Sequence, residues 1–297
     1  MLSARCQDSR RWRRAVARVR FTLLLALAPG CGLIQAALDQ ESRPTARVQG
    51  VHIQDLSLSG LTLLFDVEIE NHATGDLPLL DVDYQLESRG RTFVEGRADL
   101  QGTVPGNGSK TVSLPVGVKF ADLLSILEGV RPGAVVPYQA RLSLGADVPV
   151  LGKISLPLSR EGEVPVPTVP DIEVAQLHWE KLSLTEAAAT VDLRIVQTND
   201  FPIDLGAMSY DLALAGTEIA RGQLGSGARL EAGTETLLPI RISFSPQKFG
   251  LALFGILSGR EAAYRLGGTL DASTPFGKLA MPFTREGVVS LRTRTGS

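Results

Sequence analysis

The chain has 297 residues, which is enough for two domains of about 100 to 150 residues each. Apolar residues make up 44% and charged residues 21%, which excludes a disordered chain and an integral membrane bundle. Aromatic residues are only 5%, whereas glycines number 30 and prolines 17. This abundance of turn formers favours many short strands over long helices.

The formal net charge of −2 conceals a basic N-terminus. Residues 1–30 contain seven arginines and one aspartate, a charge of +6, so the rest of the chain carries −8. A nucleic-acid binder neutralises phosphates with lysines and arginines clustered on its folded surface. The acidic body therefore argues against nucleic acid as a partner.

The N-terminus has the features of an export signal. Its arginines precede an apolar run at 21–28, which as a helix would span about 12 Å, far less than the roughly 30 Å of a bilayer core. The sequence LAPGC at 27–31 resembles a bacterial lipobox, whose cysteine is acylated when the signal is removed. We therefore predict a lipoprotein signal at 1–30, lipidation of Cys31 and a tether at 31–46. A plain secretory signal with an incidental cysteine is the alternative.

Cysteine usage agrees with acylation. Only Cys6 and Cys31 are present, and Cys6 would leave with the signal, so Cys31 would have no disulfide partner. Gly32 stands where an inner-membrane retention signal usually has Asp. For a Gram-negative source we expect an anchor in the outer membrane, facing the periplasm. Residues 9–12 also resemble, less closely, a twin-arginine export signal.

The body of the chain is a tandem duplication. Segments 152–162 and 277–287 are identical at six of eleven positions. Five further matches keep the same order, at offsets of 124 to 128 residues: Asn71 with Asn199, Tyr84 with Tyr210, Gly96 with Gly222, Pro115 with Pro239, and Tyr138 with Tyr264. A proline-rich segment at 164–170 should form an extended linker. We predict domains at 47–163 and 171–290, and a tail at 291–297.

Within each copy, apolar residues alternate with period two. Every second residue of 61–69 is apolar, as is every second residue of the counterpart at 189–195. About seven such runs per copy predict an all-β fold of two tandem immunoglobulin- or fibronectin III-like antiparallel β-sandwiches. Pro157 and Pro282 place the last strand of each copy at a sheet edge, because proline cannot donate to a ladder.

One segment per copy has helical spacing and predicts one short helix in each sandwich. The apolar residues of these two segments are Phe120, Leu123, Leu124 and Leu127 in the first copy, and Phe249, Leu253, Ile256 and Leu257 in the second.

This arrangement resembles the late-embryogenesis-abundant type 2 family, also called the water-stress and hypersensitive response domain. The likeness covers both copies and rests on Asn71 and Asn199, each placed after the second strand and ahead of a turn that contains proline. The family motif is an Asn-Pro pair, whereas the prolines here are displaced to Pro78 and Pro202. The resemblance implies a non-enzymatic sandwich linked to desiccation and other stress, which occurs in bacteria in secreted or lipid-anchored forms.

The residues that carry chemistry predict neither a catalytic nor a metal site. The three histidines lack a metal-ligand spacing, and we interpret them as surface or strand residues at non-equivalent positions of the two copies: His52, His72 and His178. Asp66, Glu68 and Glu70 could hold a hard cation such as calcium, but Arg194, Val196 and Thr198 are taken as their counterparts, so we favour a solvated face.

An enzyme is not predicted either, because no nucleophile, base and orienting residue can be named together. No cofactor is expected. Two functions remain, and they belong to different classes. The first is a structural, stress-response or protein-interaction module, anchored to the membrane by its lipid and in contact with envelope proteins. The second is a periplasmic carrier that binds a lipid or other apolar ligand between helix and sheet, lined by Phe120, Leu124, Phe249 and Leu253.

Overall fold

A computed structural model describes residues 43–149, 151–225 and 227–293. The first copy consists of eight strands and one helix: β1 Thr45–Gln54, β2 Gly60–Asn71, β3 Leu77–Ser88, β4 Arg91–Asp99, β5 Thr103–Val104, β6 Gly108–Lys119, α1 Phe120–Ile126, β7 Val135–Val148 and β8 Gly152–Pro165.

The second copy repeats this order. Its elements are β9 Asp171–Leu182, β10 Ala187–Val196, β11 Ile203–Leu214, β12 Thr217–Gly225, β13 Arg229–Leu230, β14 Glu235–Phe244, a 3-10 turn at Pro246–Phe249, α2 Leu251–Leu257, β15 Glu261–Thr274 and β16 Gly277–Thr293.

Two antiparallel sheets face each other in the first copy. One has the order β1-β2-β6, and the other has the order β4-β3-β7-β8 with the short β5 on β3. The alternation read from the sequence gives the inner face, since Leu61, Leu63, Phe65, Val67 and Ile69 are each at most 4% exposed. The predicted sandwich is confirmed.

The second copy has the same pairing with one addition. The end of β16, at 291–293, pairs in parallel with β9, and this joins both sheets in the order β12-β11-β15-β16-β9-β10-β14. The expectation that the last strand lies at a sheet edge is confirmed for β8. It is wrong for β16, which lies between β15 and β9 where its last residues pair with β9.

The strands of the structure extend beyond the domain boundaries predicted from the sequence. Thr45 and Ala46 belong to β1 and not to the tether. Val164, assigned to the linker, is fully buried in β8. Leu291, assigned to the tail, is 8% exposed and belongs to the second core. The errors have one cause: strand ends are set by pairing with distant strands, which local sequence does not report.

Each predicted helix is present and joins one sheet to the other. Helix α1 follows β6 and precedes β7, and it buries Phe120 and Leu123 in the first core. Helix α2 follows β14 and precedes β15, and it buries Leu253 and Leu257 in the second core. Apolar contact at helical spacing therefore anchors both short helices to the sandwiches.

The two sandwiches meet at a joint formed by loops. The side chain of Arg131, in the loop between α1 and β7, donates to Thr198 O at 2.9 Å and forms an ion pair with Asp200. The Asp200 amide donates to Gly133 O at 2.8 Å. Gly133 has a φ of +90°, and a Cβ there would lie 2.6 Å from Thr198 O, so glycine is required.

Apolar contact supports the joint. Leu56, in the turn between β1 and β2, packs against both hydrophobic cores. Leu58 and Val135 of the first copy also pack against the second core. The joint therefore combines hydrogen bonds with apolar burial.

Candidate functional site

The predicted lipidation site, Cys31, and the export signal lie outside the described residues. The first described strand begins at Thr45. Among the described residues, no helix combines the length and apolar character needed to cross a bilayer. Acylation of Cys31 remains a prediction.

The four residues predicted to line an apolar ligand site are not brought together. Phe120 is 3% exposed in the first core and Leu253 is 4% exposed in the second. Leu124 is half-buried against the first core. Phe249 is 41% exposed, and its ring packs edge-on against Phe244 with centroids 6.2 Å apart. Phe120 and Leu253 thus serve the cores, while Phe249 reaches the surface.

An exposed apolar surface does surround Phe249 at the free end of the second sandwich. Leu184, Leu251 and Ile256 are 44%, 74% and 40% exposed. The amide of Gln247 donates to Leu184 O at 2.9 Å, which holds the turn between β9 and β10 beside the 3-10 turn. We call Leu184, Phe249, Leu251 and Ile256 the apolar tip. The helical spacing that placed Leu253 inside also indicated Ile256, but it could not show which side chains remain uncovered.

The carboxylates on β2 are paired with cations or hydroxyls. Arg47 lies 2.5 Å from a Glu68 oxygen and 3.7 Å from Glu70, and Ser113 donates to Asp66 at 2.6 Å. The hydrogen bond from Arg47 holds the pKa of Glu68 below its usual range. The described residues contain no group of three or more His, Cys, Asp or Glu side chains arranged to hold a metal ion. A solvated, ion-paired face agrees with this geometry.

Two of the histidines occupy equivalent positions, contrary to expectation. His52 Nε2 lies 3.3 Å from Asp66 on the neighbouring strand, and His178 Nε2 lies 3.6 Å from Asp192. In both pairs the residues of the second copy follow those of the first by 126 positions. Asp192, not Arg194, is therefore the counterpart of Asp66. A strict offset of 126 residues would have shown this in the sequence.

Ser113, His52 and Asp66 are the residue types of a serine hydrolase triad, but they are not arranged as one. A serine hydrolase needs the imidazole between the serine and the carboxylate, so that the imidazole accepts the hydroxyl proton. Here Asp66 lies between the other two residues, because Ser113 donates to one of its oxygens and His52 contacts the other. This order places the carboxylate of Asp66, and not the imidazole of His52, next to Ser113.

The structural counterpart of Asn71 is Gln197 and not Asn199. Asn71 accepts from the amide two residues ahead, at Ala73, and donates to the carbonyl four residues ahead. Gln197 makes the same two contacts, with the amide of Asn199 and the carbonyl of Phe201. The sequence match was misplaced by two residues because both positions carry an amide side chain.

Asn199 instead holds the linker. Its side chain accepts from the Thr168 amide at 2.8 Å and donates to the Thr168 carbonyl at 2.9 Å. Asn199 is 1% exposed, so these bonds are shielded from water. This role was missed, since nothing in the local sequence relates residue 199 to the linker.

Tyrosine and glycine form a recurring cross-strand pair. All four tyrosines of the chain lie directly opposite a glycine on the neighbouring strand: Tyr84 with Gly96, Tyr138 with Gly162, Tyr210 with Gly222, and Tyr264 with Gly287. A Cβ added at any of these glycines would lie 2.4–2.8 Å from the tyrosine ring or hydroxyl. Burial raises the pKa of Tyr138 and Tyr210. The repeated matches in the sequence are largely these pairs.

An open polar groove of about 980 Å³ lies on the outer face of the first copy's larger sheet, and Tyr84, Arg97 and Arg141 line it. Its cations are already paired, because Arg141 lies 2.7 Å from Glu87, and Arg97 contacts Asp81. The groove is therefore a structured polar surface.

Comparison with known families decides the identity of this duplicated sandwich. The profile of the family described as "Late embryogenesis abundant protein" matches the chain twice, at 66–162 and 193–287. The chain belongs to this family. Each match covers one sandwich, so the late embryogenesis abundant domain is present as a tandem pair.

Individual relatives agree. The desiccation-related protein PCC27-45 of Craterostigma plantagineum is 30% identical over 130 residues, which are 44% of this chain and 86% of that protein. The desiccation protectant protein Lea14 homolog of Glycine max is 28% identical over the same shares of the two chains. In both alignments, less than half of this late embryogenesis abundant protein spans most of a protein whose name refers to desiccation.

A solved structure is similar as well. The solution structure of a putative late embryogenesis abundant protein of Arabidopsis thaliana is 27% identical. The alignment covers 46% of this chain and 79% of that one, with a TM-score of 0.38.

Proposed function

We propose that this protein is a non-enzymatic lipoprotein of the cell envelope. In this proposal, acylated Cys31 anchors it to a membrane, and its two late embryogenesis abundant domains form a structural or protein-interaction module that acts in the response to drying and related stress. The observation that supports the proposal is the position of Cys31, directly after the predicted export signal and ahead of two family domains.

The length of the tether supports a location close to the bilayer. Thirteen residues separate Cys31 from Thr45, where β1 begins. Even fully extended, they reach only about 45 Å. An acylated Cys31 would therefore keep the first sandwich near the membrane surface, where envelope proteins can contact it. Several acyl chains on one cysteine anchor firmly, because each buried CH₂ contributes about 0.8 kcal/mol.

The absence of enzymatic activity remains a prediction. The contacts that Asp66 makes with its neighbours support it. Asp66 lies between Ser113 and His52, whereas a serine hydrolase needs the imidazole between the serine and the carboxylate. The names of the relatives, desiccation-related and desiccation protectant proteins, support a role in drying.

Metabolic labelling with a radioactive fatty acid tests the anchor. We expect label in the wild-type protein and none in Cys31→Ser, which should also leave the membrane fraction. Cys6→Ser is the matched control: Cys6 leaves with the signal, so its loss should not change labelling of the mature protein. Equal incorporation into Cys31→Ser would contradict the anchor. Survival after drying of a deletion strain carrying either form then tests whether the anchored form is the active one.

The apolar tip favours a second candidate, a carrier of a lipid or other apolar ligand. Phe249 and Leu251 are 41% and 74% exposed on a segment that packs on the second core, and large exposed apolar groups mark ligand or interaction surfaces. Native mass spectrometry of the purified protein should show a bound lipid that is reduced in Phe249→Ser/Leu251→Ser. Bare protein in the wild type would leave the carrier without support.

A further inference from the structure

One end of each sandwich carries the short helix and the turn between the first two strands. In the first copy this end faces the joint, where Leu58 packs against the second core. Leu184, 126 positions later, is the counterpart of Leu58 in the second copy and is 44% exposed. The apolar tip therefore occupies the end that the first sandwich uses for contact, and its side chains remain open to solvent.

The hydrogen bonds of the two turns establish this equivalence. The Ser57 amide donates to Gly60 O at 2.9 Å, and the Ser183 amide donates to Glu186 O at 2.8 Å. In each turn the serine hydroxyl donates to the same carbonyl as its amide, at 2.8 and 3.0 Å. Because the two turns have the same local structure, the different environment of the two leucines comes from the neighbouring sandwich and not from the turn.

The two helices differ in the residues that they expose. Their buried leucines align at an offset of 130 residues, Leu123 with Leu253 and Leu127 with Leu257. At this offset three positions of the first copy, Ala121, Asp122 and Glu128, correspond to Leu251, Ala252 and Ser258 in the second. The second copy thus has a large apolar residue, 74% exposed, in place of an alanine, and it lacks both carboxylates.

Two cations without a partner flank the tip. Lys248 precedes α2 and Arg260 follows it; both are exposed, and neither side chain makes a hydrogen bond or ion pair among the described residues. The segment between β14 and β15, which carries them, contains no aspartate or glutamate. Nearby, Glu180 accepts from a threonine and Glu186 is paired with a lysine, while Glu261 begins β15. The segment itself therefore combines exposed apolar side chains with a charge of +2.

We propose that the apolar tip inserts into the surface of a lipid bilayer that carries anionic headgroups. Phe249, Leu251 and Ile256 would enter the boundary between headgroups and acyl chains, and the two flanking cations would contact phosphates. This contact goes beyond the proposed anchor and does not depend on it. Thr45, where the tether ends, lies at the end of the first sandwich away from the joint, since β1 leads to Leu56 in the joint.

The size of the tip favours a bilayer over a protein partner. Its four side chains, 40–74% exposed, present on the order of 400 Å² of apolar surface, about half of the roughly 800 Å² per partner that a stable protein interface buries. The loop that supplies polar contacts to the joint, at 127–134, is shortened to 258–260 beside the tip. A second copy of the chain could therefore not dock here as the two sandwiches dock at the joint, whereas a bilayer needs only protruding apolar groups and cations.

Sedimentation with vesicles tests the proposal. Residues 32–297 contain every described residue and lack the predicted signal and Cys31, so their binding is independent of the proposed anchor. With vesicles of equal parts phosphatidylglycerol and phosphatidylcholine we expect binding at about 1 mM lipid. Leu251→Ser should lower the partition coefficient at least about fivefold. Leu237→Ser is the matched control, since Leu237 is 57% exposed on β14 near the joint, and it should bind as the unchanged chain does.

Charge and depth are measured separately. Lys248→Gln and Arg260→Gln should each weaken binding to the anionic vesicles about fivefold, with no change for phosphatidylcholine alone. Cys6 and Cys31 are the only cysteines of the chain, so residues 32–297 contain none and a new cysteine can be labelled uniquely. A nitrobenzoxadiazole label on Leu251→Cys should become brighter and shift to the blue when vesicles are added, and the same label on Leu237→Cys should not.

Four outcomes would overturn the proposal. The first is no sedimentation with anionic vesicles at about 1 mM lipid. The second is equal loss of binding in the two serine variants, or a label at 251 that stays in water while the protein sediments. The third is a dimer that Leu251→Ser abolishes, without vesicle binding, which would assign the tip to a second copy. The fourth is removal of single phospholipids from the vesicles by soluble protein, which would assign it to a carrier. None of these outcomes affects the Cys31 anchor, which fatty-acid labelling tests by itself.

Discussion

The two sandwiches have the same strand order but reach different degrees of closure. The second buries Trp179 and Phe283 in its core and adds a parallel ladder between β16 and β9, whereas the first leaves the equivalent Ile53 and Leu158 half-buried. The difference shows that the fold itself does not require a ladder between its first and last strands. Eight strands with an alternating inner face are enough, and the ladder between β16 and β9 is a separate feature of the second copy.

The largest difference in stability between the two copies is expected for a substitution at Trp179. Trp179→Ala should destabilise the second sandwich by about 3–5 kcal/mol, because a fully buried indole leaves a cavity. Ile53→Ala, at the equivalent half-buried position, should cost only about 1–2 kcal/mol. Urea unfolding followed by circular dichroism measures both. Equal losses of unfolding free energy in the two variants would contradict the difference in burial between these positions.

A smaller loss of stability is expected at the equivalent positions where the first copy has asparagine and the second has glutamine. Asn71 donates to the carbonyls of Gly75, Val104 and Pro105 and is 2% exposed. Asn71→Ala should cost about 2–3 kcal/mol, because buried carbonyls lose their donor. Gln197→Ala removes fewer bonds and should cost less. If Gln197→Ala proved the more damaging in thermal unfolding, the assigned equivalence of these two residues would be wrong.

The tyrosine–glycine pairs give the next test. A Cβ at Gly162 would lie 2.6 Å from the Tyr138 hydroxyl, so Gly162→Ala should destabilise by about 1–2 kcal/mol through overpacking. Gly117→Ala is the matched control, since a Cβ there meets nothing within 4 Å. In a strand interior, that alanine should stabilise by up to about 1 kcal/mol. Thermal melts that shift in the same direction for both variants would contradict the pairing.

The smallest effect concerns an ion pair whose charges are exchanged between the copies. Arg47 lies opposite Glu68 in the first copy, and Glu173 lies opposite Arg194 in the second, at the same two positions. Arg47→Glu places like charges across the strands and should destabilise slightly, and the added change Glu68→Arg should restore stability. Both effects should shrink in high salt.

The contribution of the ion pair between Arg47 and Glu68 to stability should decrease at acid pH. The pKa of Glu68 is lowered in the folded state by the hydrogen bond from Arg47. Its contribution to stability is therefore present above the pKa of an unfolded glutamate and is lost as pH falls through the lowered value. A difference between wild type and Glu68→Gln that stayed constant from neutral to acid pH would contradict the pairing.

Local pattern predicted a large part of this structure. Alternation at 61–69 and the repeated tyrosines and glycines identify the strands and the duplication, because a half-buried strand imposes period two on its own sequence. The two helices followed from the spacing of Phe120, Leu123 and Leu253, which the cores confirm. These signals are carried by neighbouring residues, and for this reason they can be read without the fold.

Other features could not be predicted, since they depend on contacts between distant segments. Whether Ile53 is covered depends on a strand more than a hundred residues away in the chain, and the parallel ladder at 291–293 depends on register. Asn199 is placed by the linker, not by its neighbours. The equivalence of His52 and His178 was readable at a fixed offset, but the misplaced match of Asn71 with Asn199 obscured it.

The loop between helix and strand differs in length between the two copies, and only the first of the two loops makes a described contact with the other copy. In the first sandwich it spans 127–134 and carries Arg131 and Gly133, which bind the loop after β10. In the second it spans only 258–260, and the side chain of its arginine, Arg260, makes no hydrogen bond or ion pair among the described residues. Exchanging the order of the two domains would therefore separate Arg131 from Thr198 and Asp200, the two residues that it contacts in the present order.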